Sequence, residues 1–270
     1  MTGSFADTTV LVEIAENLSG IQTEIRTHLD KNPPGQVPDY ALREFLSGRL
    51  QILCTAHNKL LASSSVPEAI AAFAKVGGFS ARSTFAKIAE LAGALDAVMK
   101  SKTSVTEEEA KREVTEYLAL AAAKRWIKAK RPSPLQYIQP LSCLNRGDLS
   151  FDAAGAITGP SGTFSCLANE RCAAAQYIHG KSNELAKLIE TLHPDKLPPS
   201  LVDKVENRSR RKALKELART GPTKFNKSMC RSLGDAYFAI MCPPSSRVLT
   251  TNLVDHQLLC AALGKTAQKP

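Results

Sequence analysis

Apolar residues recur at helical spacing along most of the chain. Near the N-terminus five of them follow one another at intervals of three or four residues: Val10, Ile14, Leu18, Ile21 and Ile25. This spacing places them on one face and predicts a single amphipathic helix that ends before the turn at 32–35. The helical pattern resumes near Asp39, where the preceding proline suits a helix start.

The helical periodicity is present in most of the middle of the chain and is lost in one stretch. Residues 66–131 have the pattern of three helices, and helices are expected again at 169–179, 183–192 and 201–219. Residues 132–165, in contrast, contain repeated prolines and glycines and only short β-prone pieces. We expect this stretch to be irregular or to form a hairpin.

Polar side chains stand where short apolar segments end. Asp7 follows a brief apolar piece and precedes the first helix, and Asp235 opens the helical sequence GDAYFAI. The segment RVLTT reads as a strand, and Asn252 follows it before another helix. Asp and Asn are favoured at helix N-caps, so each of these residues taken singly could be only a cap.

Four pieces of the sequence, taken together, resemble a known family. The pieces DTTVL, the Glu44 of YALREFLSGRL, the Asp235 of GDAYFAI and the terminal VLTTNLVDHQLLCAALG resemble, in order and type, the motifs of the PIN-domain nucleases. The resemblance implies an α/β fold, namely a three-layer PIN-like domain with a small central parallel sheet. That domain would be formed by residues 1–60 and 225–270, and residues 61–224 would be a mostly α-helical insertion with the irregular excursion at 132–165.

The resemblance also implies a metal site. In that family three or four acids meet at the C-terminal edge of the sheet and bind one or two Mg²⁺ or Mn²⁺ ions, and Asp7, Glu44 and Asp235 match the first three. Carboxylate oxygens suit such hard ions, and a bound ion can lower the pKa of a water molecule that then attacks a phosphodiester. Glu44 on its own could equally be a solvated carboxylate on a helix.

Three further residues complete the candidate set by the same resemblance. Asn252 falls where a fourth acid usually lies, Thr251 or Thr250 matches a hydroxyl residue before it, and Asp255 is a candidate for the missing charge. The candidate catalytic residues are therefore Asp7, Glu44, Asp235, Asn252, Thr251 and Asp255. The neighbouring His256 is expected on a helix surface, although proton transfer is an alternative role.

The function implied by the resemblance is endoribonuclease activity. Such an enzyme could be toxin-like or otherwise regulated, with a protein inhibitor or antitoxin as partner. A second hypothesis is a catalytically inactive PIN-like scaffold that binds RNA or protein, because Asn252 is neutral. A third is an all-helical adaptor in which no sheet forms.

Positive charge is concentrated in one part of the sequence. The formal net charge is +9, and the segment 201–231 holds ten Lys or Arg against three Asp or Glu. Such a balance favours an acidic partner, most commonly nucleic acid. The candidate nucleic-acid contacts are Arg208, Arg210, Arg211, Lys212 and Lys215, although a solvated helix face is the alternative.

The cysteines do not form a recognisable framework. There are seven, widely scattered, which favours reduced thiols over disulfides. Three of them form a possible zinc set with one histidine: Cys143, Cys166, Cys172 and His179. Because this set lacks a close C-x₂₋₄-C pair, buried free thiols are expected and zinc is not. Likewise, Trp126 is expected in a core rather than as a base-stacking platform.

No targeting signal is apparent. The start MTGSFADTT lacks the basic region and long apolar run of a signal peptide, and no apolar run is long enough for a membrane span. We therefore expect a cytoplasmic protein without a membrane partner. The oligomeric state is left open.

Overall fold

The computed structural model describes residues 3–75, 81–101, 104–167, 172–202, 204–224 and 227–270. The chain divides into two compact units. The first, called the sheet unit, consists of residues 1–44, 131–145 and 165–270. The second, called the helical unit, consists of residues 45–130 and 146–164.

The strands form one five-stranded sheet and one small hairpin. Their bounds are β1 (Gly3–Ala6), β2 (Gly35–Pro38), β3 (Gln136–Ile138), β4 (Ser150–Phe151), β5 (Ile157–Thr158), β6 (Ser246–Leu249) and β7 (Ala267–Gln268). The large sheet has the order β3-β2-β1-β6-β7, and each neighbouring pair is parallel. The protein is thus an α/β protein with a parallel sheet, as predicted.

The helices take up most of the remaining chain. Their bounds are α1 (Thr8–Glu16), α2 (Gln22–Lys31), α3 (Asp39–Phe45), α4 (Gln51–Leu61), α5 (Val66–Lys75), α6 (Ala81–Lys100), α7 (Glu107–Lys130), α8 (Ala173–His179), α9 (Ser182–Thr191), α10 (Pro199–Val202), α11 (Val205–Thr220), α12 (Lys227–Ser232), α13 (Gly234–Met241) and α14 (Leu253–Ala262). A π-helical turn at Leu46–Leu50 lies between α3 and α4. None of the helices in the described ranges is both long and apolar enough to cross a lipid bilayer.

Strand β1 is the buried centre of the sheet unit. All four of its residues are buried, because β2 and β6 flank it and both of its faces are covered. Its Ala6 is paired with Leu249 of β6, so the two strands end side by side. The arrangement is compatible with three layers, and it brings the residues that follow β1 and β6 together. The all-helical alternative is wrong.

The helical unit has its own core. Helices α4, α6 and α7 contact one another, and buried side chains such as Leu53, Leu91 and Leu118 fill the space between them. Trp126 is buried there as expected, and its indole N–H donates to the carbonyl of Gly147 at 2.8 Å. In the same unit, Glu90 accepts from both Arg49 and Arg125. This unit therefore combines a packed apolar interior with a bridging ion pair.

The structure corrects two predicted elements. The single N-terminal helix is wrong: α1 ends at Glu16, because Asn17 adopts the left-handed conformation and Gly20 also has positive φ. The stretch 132–165 does contain a hairpin, but it also supplies β3, which pairs with β2. The first helix predicted within 66–131 corresponds to α5, and those predicted at 183–192 and 201–219 correspond to α9 and to α10–α11.

The predicted domain boundaries differ from the two units. Residues 131–145 and 165–224, placed by the sequence in the insertion, lie in the sheet unit, whereas residues 45–60, placed in the PIN-like domain, lie in the helical unit. The physical reason is that β3 extends the parallel sheet and that α8 and α9 contact helices α13 and α14 near the C-terminus. Parts of the predicted helix at 169–179 lie outside the described residues.

Candidate active site

Asp7 lies at the point where β1 ends and α1 begins. Its Oδ1 accepts from the Val10 N–H at 3.1 Å, which caps the helix, and from the Thr9 hydroxyl at 2.7 Å. Its Oδ2 accepts from the Thr250 hydroxyl at 2.7 Å. Thr250 follows β6 directly, so the parallel pairing of β1 and β6 creates this contact between residues 243 apart.

His256 connects two of the predicted acids. Its Nε2 is 3.0 Å from Asp7 Oδ2 and 3.5 Å from Asp235 Oδ1. The ring is 2% exposed and packs edge-on against Phe238, with 5.8 Å between ring centroids. The expectation that His256 lies on a helix surface is therefore wrong.

Asp235 has a second cationic partner. It lies in the first turn of α13, and its Oδ2 forms an ion pair with the Arg210 guanidinium of α11. Arg210 is buried and also donates to Asn207 at 2.8 Å. Arg210 was predicted as a surface contact to nucleic acid, but its burial and its pairing with Asp235 turn it inward to the carboxylates.

Glu44 on α3 completes the group. It accepts from the Thr8 hydroxyl at 2.5 Å, and its Oε1 lies against Gly234 at the start of α13. A Cβ atom on Gly234 would stand only 2.6 Å from that oxygen, so glycine permits the approach. Burial first, and then the nearby charges of Asp235 and Asp7, raise the pKa of Glu44 to about 7 despite the Thr8 hydrogen bond.

Asp7 and His256 shift each other's pKa in opposite directions. Burial alone raises the pKa of Asp7, but the hydrogen bond and charge of His256, with Thr250 and Thr9, lower it below its usual value. Burial lowers the pKa of His256, whereas Asp7 and Asp235 raise it, and the net direction is upward. Each group therefore favours the charged form of the other, although the buried Nδ1 of His256 has no hydrogen-bond partner.

The three predicted metal ligands Asp7, Glu44 and Asp235 thus meet at one edge of the sheet. We call these acids the carboxylate cluster, together with the four residues that contact them: Thr8, Arg210, Thr250 and His256. All its potential ligands to a hard ion are oxygens, as Mg²⁺ or Mn²⁺ requires. The charge also fits, because His256 stands between two carboxylates where a cation is favoured. The spacing of these side chains does not fit a metal ion in this structure, because among the described residues no three or more His, Cys, Asp or Glu side chains are placed to hold one.

The other predicted catalytic residues lie at the margin of this group. The exposed Asn252 side chain donates to Asp255 at 2.5 Å, and neither contacts the three acids directly. Thr251 takes part through its backbone N–H, which donates to Thr9 at 2.9 Å. The hydroxyl that reaches Asp7 belongs to Thr250, the alternative that the sequence had left open.

Four of the five predicted nucleic-acid contacts line a groove in the sheet unit. Arg208, Arg211, Lys212 and Lys215 lie along one side of α11, and the groove encloses about 400 Å³. Its other wall is apolar, with Leu192 and Leu197 among the residues. Helical periodicity separates this basic stripe from Arg210, which lies on the buried side of the same helix.

Sequence reasoning missed several residues of the cluster. Thr8 and Arg210 received no role in it, His256 was placed on the surface, and Gly234, against which Glu44 lies, was not noted. One signal was present: Asn207, Arg210, Leu214 and Leu217 follow helical spacing with the buried apolar residues of α11, so Arg210 belongs to that face. A second signal was Gly234 directly before Asp235, because a glycine there allows another side chain to approach closely.

No family model matches this chain, and no curated protein or solved structure matches it significantly.

Proposed function

We propose that this protein is a metal-dependent nuclease of PIN type that hydrolyses phosphodiester bonds in RNA. One observation carries the proposal: Asp7, Glu44 and Asp235, from distant parts of the sequence, meet where β1 and β6 end. In α/β sheets, this carboxyl edge of the strands is where ligands bind.

Each acid has a distinct task in this proposal. Asp7 is held rigidly by four hydrogen-bonding partners and would be the fixed ligand. Glu44, with a pKa of about 7, would release its proton when a cation arrives. A Mg²⁺ or Mn²⁺ ion bound by these carboxylates would supply an activated water and stabilise charge that develops on the phosphate.

Arg210 and His256 balance the acids in the present arrangement. Cation binding therefore requires that His256 lose its proton or withdraw from Asp7, and that Asp235 weaken its pair with Arg210. Once displaced, Arg210 is a donor suited to a phosphate oxygen. We expect metal binding to be weaker than for carboxylates without cationic neighbours.

The basic groove supports a polyanionic substrate. Arg208, Lys212 and Lys215 line it on the outer side of α11, the helix whose inner side sends Arg210 to Asp235. One helix thus presents positive charge both to the groove and to the carboxylate cluster. Contacts to a phosphate backbone would follow, with steep dependence on salt.

A second candidate function is RNA binding without cleavage. The ion pairs Asp7–His256 and Asp235–Arg210 favour it, because a group already neutralised by the protein needs no metal ion. The neutral, exposed Asn252 in the place of a fourth acid points the same way.

The test is cleavage of end-labelled single-stranded RNA with Mg²⁺ or Mn²⁺, comparing wild type with Asp235→Asn. Asp96→Asn is the matched control, since Asp96 is an exposed acid on α6. Cleavage that needs metal and falls at least about a hundredfold in Asp235→Asn supports the nuclease. Salt-sensitive binding of the same RNA without cleavage supports the second candidate instead.

A further inference from the structure

Four cysteines of the sheet unit converge, although they are far apart in sequence. We call them the cysteine cluster: Cys143, Cys166, Cys172 and Cys230. Cys143 follows β3, Cys166 and Cys172 lie before α8, and Cys230 is in α12. A backbone hydrogen bond of 3.0 Å from the Leu167 N–H to the Cys143 carbonyl holds two of these segments together.

The thiols contact one another in a connected network. Cys166 is hydrogen-bonded to both Cys143 and Cys230, and Cys230 is also hydrogen-bonded to Cys172. The Cys143 sulfur further accepts from the backbone N–H of Ala173. Cys143 and Cys230 are each 3% exposed, the other two are half-buried, and all four are free of disulfides.

A buried cation lies against this network. The Arg43 guanidinium is buried, is hydrogen-bonded to the Cys166 thiol, and leaves its Nε without a hydrogen-bond partner. A buried guanidinium is costly unless negative charge stands beside it. Neutral thiols supply little of that charge, whereas thiolates bound to a divalent ion leave a net negative charge for Arg43 to balance.

The chemistry of four sulfur donors selects the occupant. Thiolates prefer zinc, iron–sulfur centres or Cu(I) over hard ions such as Mg²⁺, so this site differs in kind from the carboxylate cluster. A tetrahedral zinc ion with Zn–S bonds of about 2.3 Å spaces its sulfurs about 3.8 Å apart.

We propose that the cysteine cluster binds a thiophilic metal ion, with a single tetrahedral Zn²⁺ as the simplest occupant. In this structure the thiols are paired by hydrogen bonds, and among the described residues no three or more His, Cys, Asp or Glu side chains, these four included, are spaced to hold a metal ion. On binding, each thiol gives up its proton and the S–H···S hydrogen bonds are replaced by metal–sulfur bonds. The set shares three residues with the zinc set considered from the sequence, and Cys230 takes the place of His179.

The proposed ion would hold the scaffold around the carboxylate cluster. Cys230 lies in the helix just before α13, which carries Asp235, and its carbonyl accepts from the Tyr40 hydroxyl at 2.7 Å. Tyr40 and Arg43 are on α3 together with Glu44. A metal ion bound at the cysteine cluster would thereby hold α12, which directly precedes the helix of Asp235, against α3, which carries Glu44.

The test is the metal content of the full-length protein purified without chelators. We expect about one zinc ion per chain in wild type and near none in Cys166→Ser or Cys230→Ser. Cys54→Ser and Cys242→Ser are the matched controls, because both thiols are buried and lie outside the cluster. Both should keep their zinc.

A second measurement uses the wild-type protein alone, so that it still tests the proposal if the variants do not fold. Wild-type protein from cobalt-supplemented cells should show thiolate-to-cobalt charge-transfer bands and the intense d–d bands of a tetrahedral site. Iron with inorganic sulfide in place of zinc would keep the ligand set and overturn the choice of zinc. Folded wild-type protein with neither bound metal nor cobalt–thiolate bands would overturn the proposal, whatever the outcome of the RNA cleavage assay.

Discussion

Ionisation of Glu44 lowers the stability of the folded protein. Its pKa is raised to about 7 by burial and by the carboxylates of Asp235 and Asp7, whereas an unfolded glutamate titrates near 4.5. Because the folded pKa is the higher one, the folded state loses stability as the pH rises from about 4.5 to about 7.

Removing that charge should stabilise the protein at alkaline pH. In chelator, Glu44→Gln is expected to raise the free energy of unfolding by on the order of 2 kcal/mol at pH 8, and to change it little at pH 4. Urea denaturation at both pH values measures the difference. Glu24→Gln, at an exposed position of α2, is the control and should change the free energy of unfolding little at either pH.

Adding Mn²⁺ separates this electrostatic effect from metal binding. If the carboxylate cluster binds the ion, Mn²⁺ at pH 8 stabilises wild type and not Glu44→Gln. Equal stability of the two proteins at pH 8 in chelator would show that Glu44 does not lie among the other acids.

Thr250 supports Asp7 through a buried hydrogen bond. Thr250→Val keeps the shape but leaves Asp7 without that donor, and we expect a loss of about 1–3 kcal/mol in the free energy of unfolding. Thr251→Val at the neighbouring half-buried position should cost less than about 0.5 kcal/mol. Equal losses in the two variants would contradict the assigned contact.

At the residue scale, the sequence singled out the three acids as candidates but did not assign Arg210 or His256 to them, and it left Thr250 as one of two alternatives. The acids follow short apolar segments in a recognisable order, which is local information. The contacts of Arg210, Thr250 and His256 with the acids depend on the pairing of β1 with β6 and on the packing of α11 and α14. Helical spacing places Arg210 on the buried face of α11 but does not name the acid that it meets. The same holds for Cys230, which joins its cluster only through the position of α12.

At the scale of elements, helix α11 has two different faces. Its basic stripe lines the groove, while Asn207, Arg210 and Leu214 are buried. A solvated stripe binds phosphates through charge alone, so its contribution should depend on salt. The buried face should contribute to folding instead.

Removing the stripe should weaken RNA binding. In the triple variant Arg208→Ala, Lys212→Ala and Lys215→Ala, we expect at least about a tenfold loss of affinity and a smaller slope of log affinity against log salt. Fluorescence anisotropy with labelled single-stranded RNA at several salt concentrations measures both. The matched control removes three exposed basic residues of α7, namely Arg112, Lys124 and Lys128. An equal loss in that control would assign the effect to net charge rather than to the groove.

Elements were predictable in proportion to their length. The long α7 is covered by the predicted helical region and α9 matches its prediction within a residue, because many periodic positions agree. Strand β3 has only three residues, too few for an alternating pattern, and it exists because β2 offers an edge to pair with. The break after α1 depends on one left-handed residue, Asn17.

At the scale of the whole molecule, each unit has a core of its own. We therefore expect the fragment 45–164, which contains the complete helical unit, to be helical and to unfold cooperatively by circular dichroism. In that fragment Trp126→Ala should lower the free energy of unfolding by about 3–5 kcal/mol, because a buried side chain and its hydrogen bond are lost. Ile127→Ala, at an exposed neighbour, should have little effect. A fragment without a cooperative transition would show that this core is not sufficient.

The pairing of β1 with β6 also sets the earliest time at which the surroundings of Asp7 can be complete during synthesis. Asp7 is translated early, and Thr250 follows 243 residues later. At roughly 5–20 residues per second, about 10–50 s separate the two during synthesis. Throughout that interval the growing chain lies beside its own message and the ribosomal RNA. If the protein is the ribonuclease proposed above, Asp7 lacks its Thr250 partner until synthesis has passed β6, and the order of translation would then protect the RNA from which the protein is made.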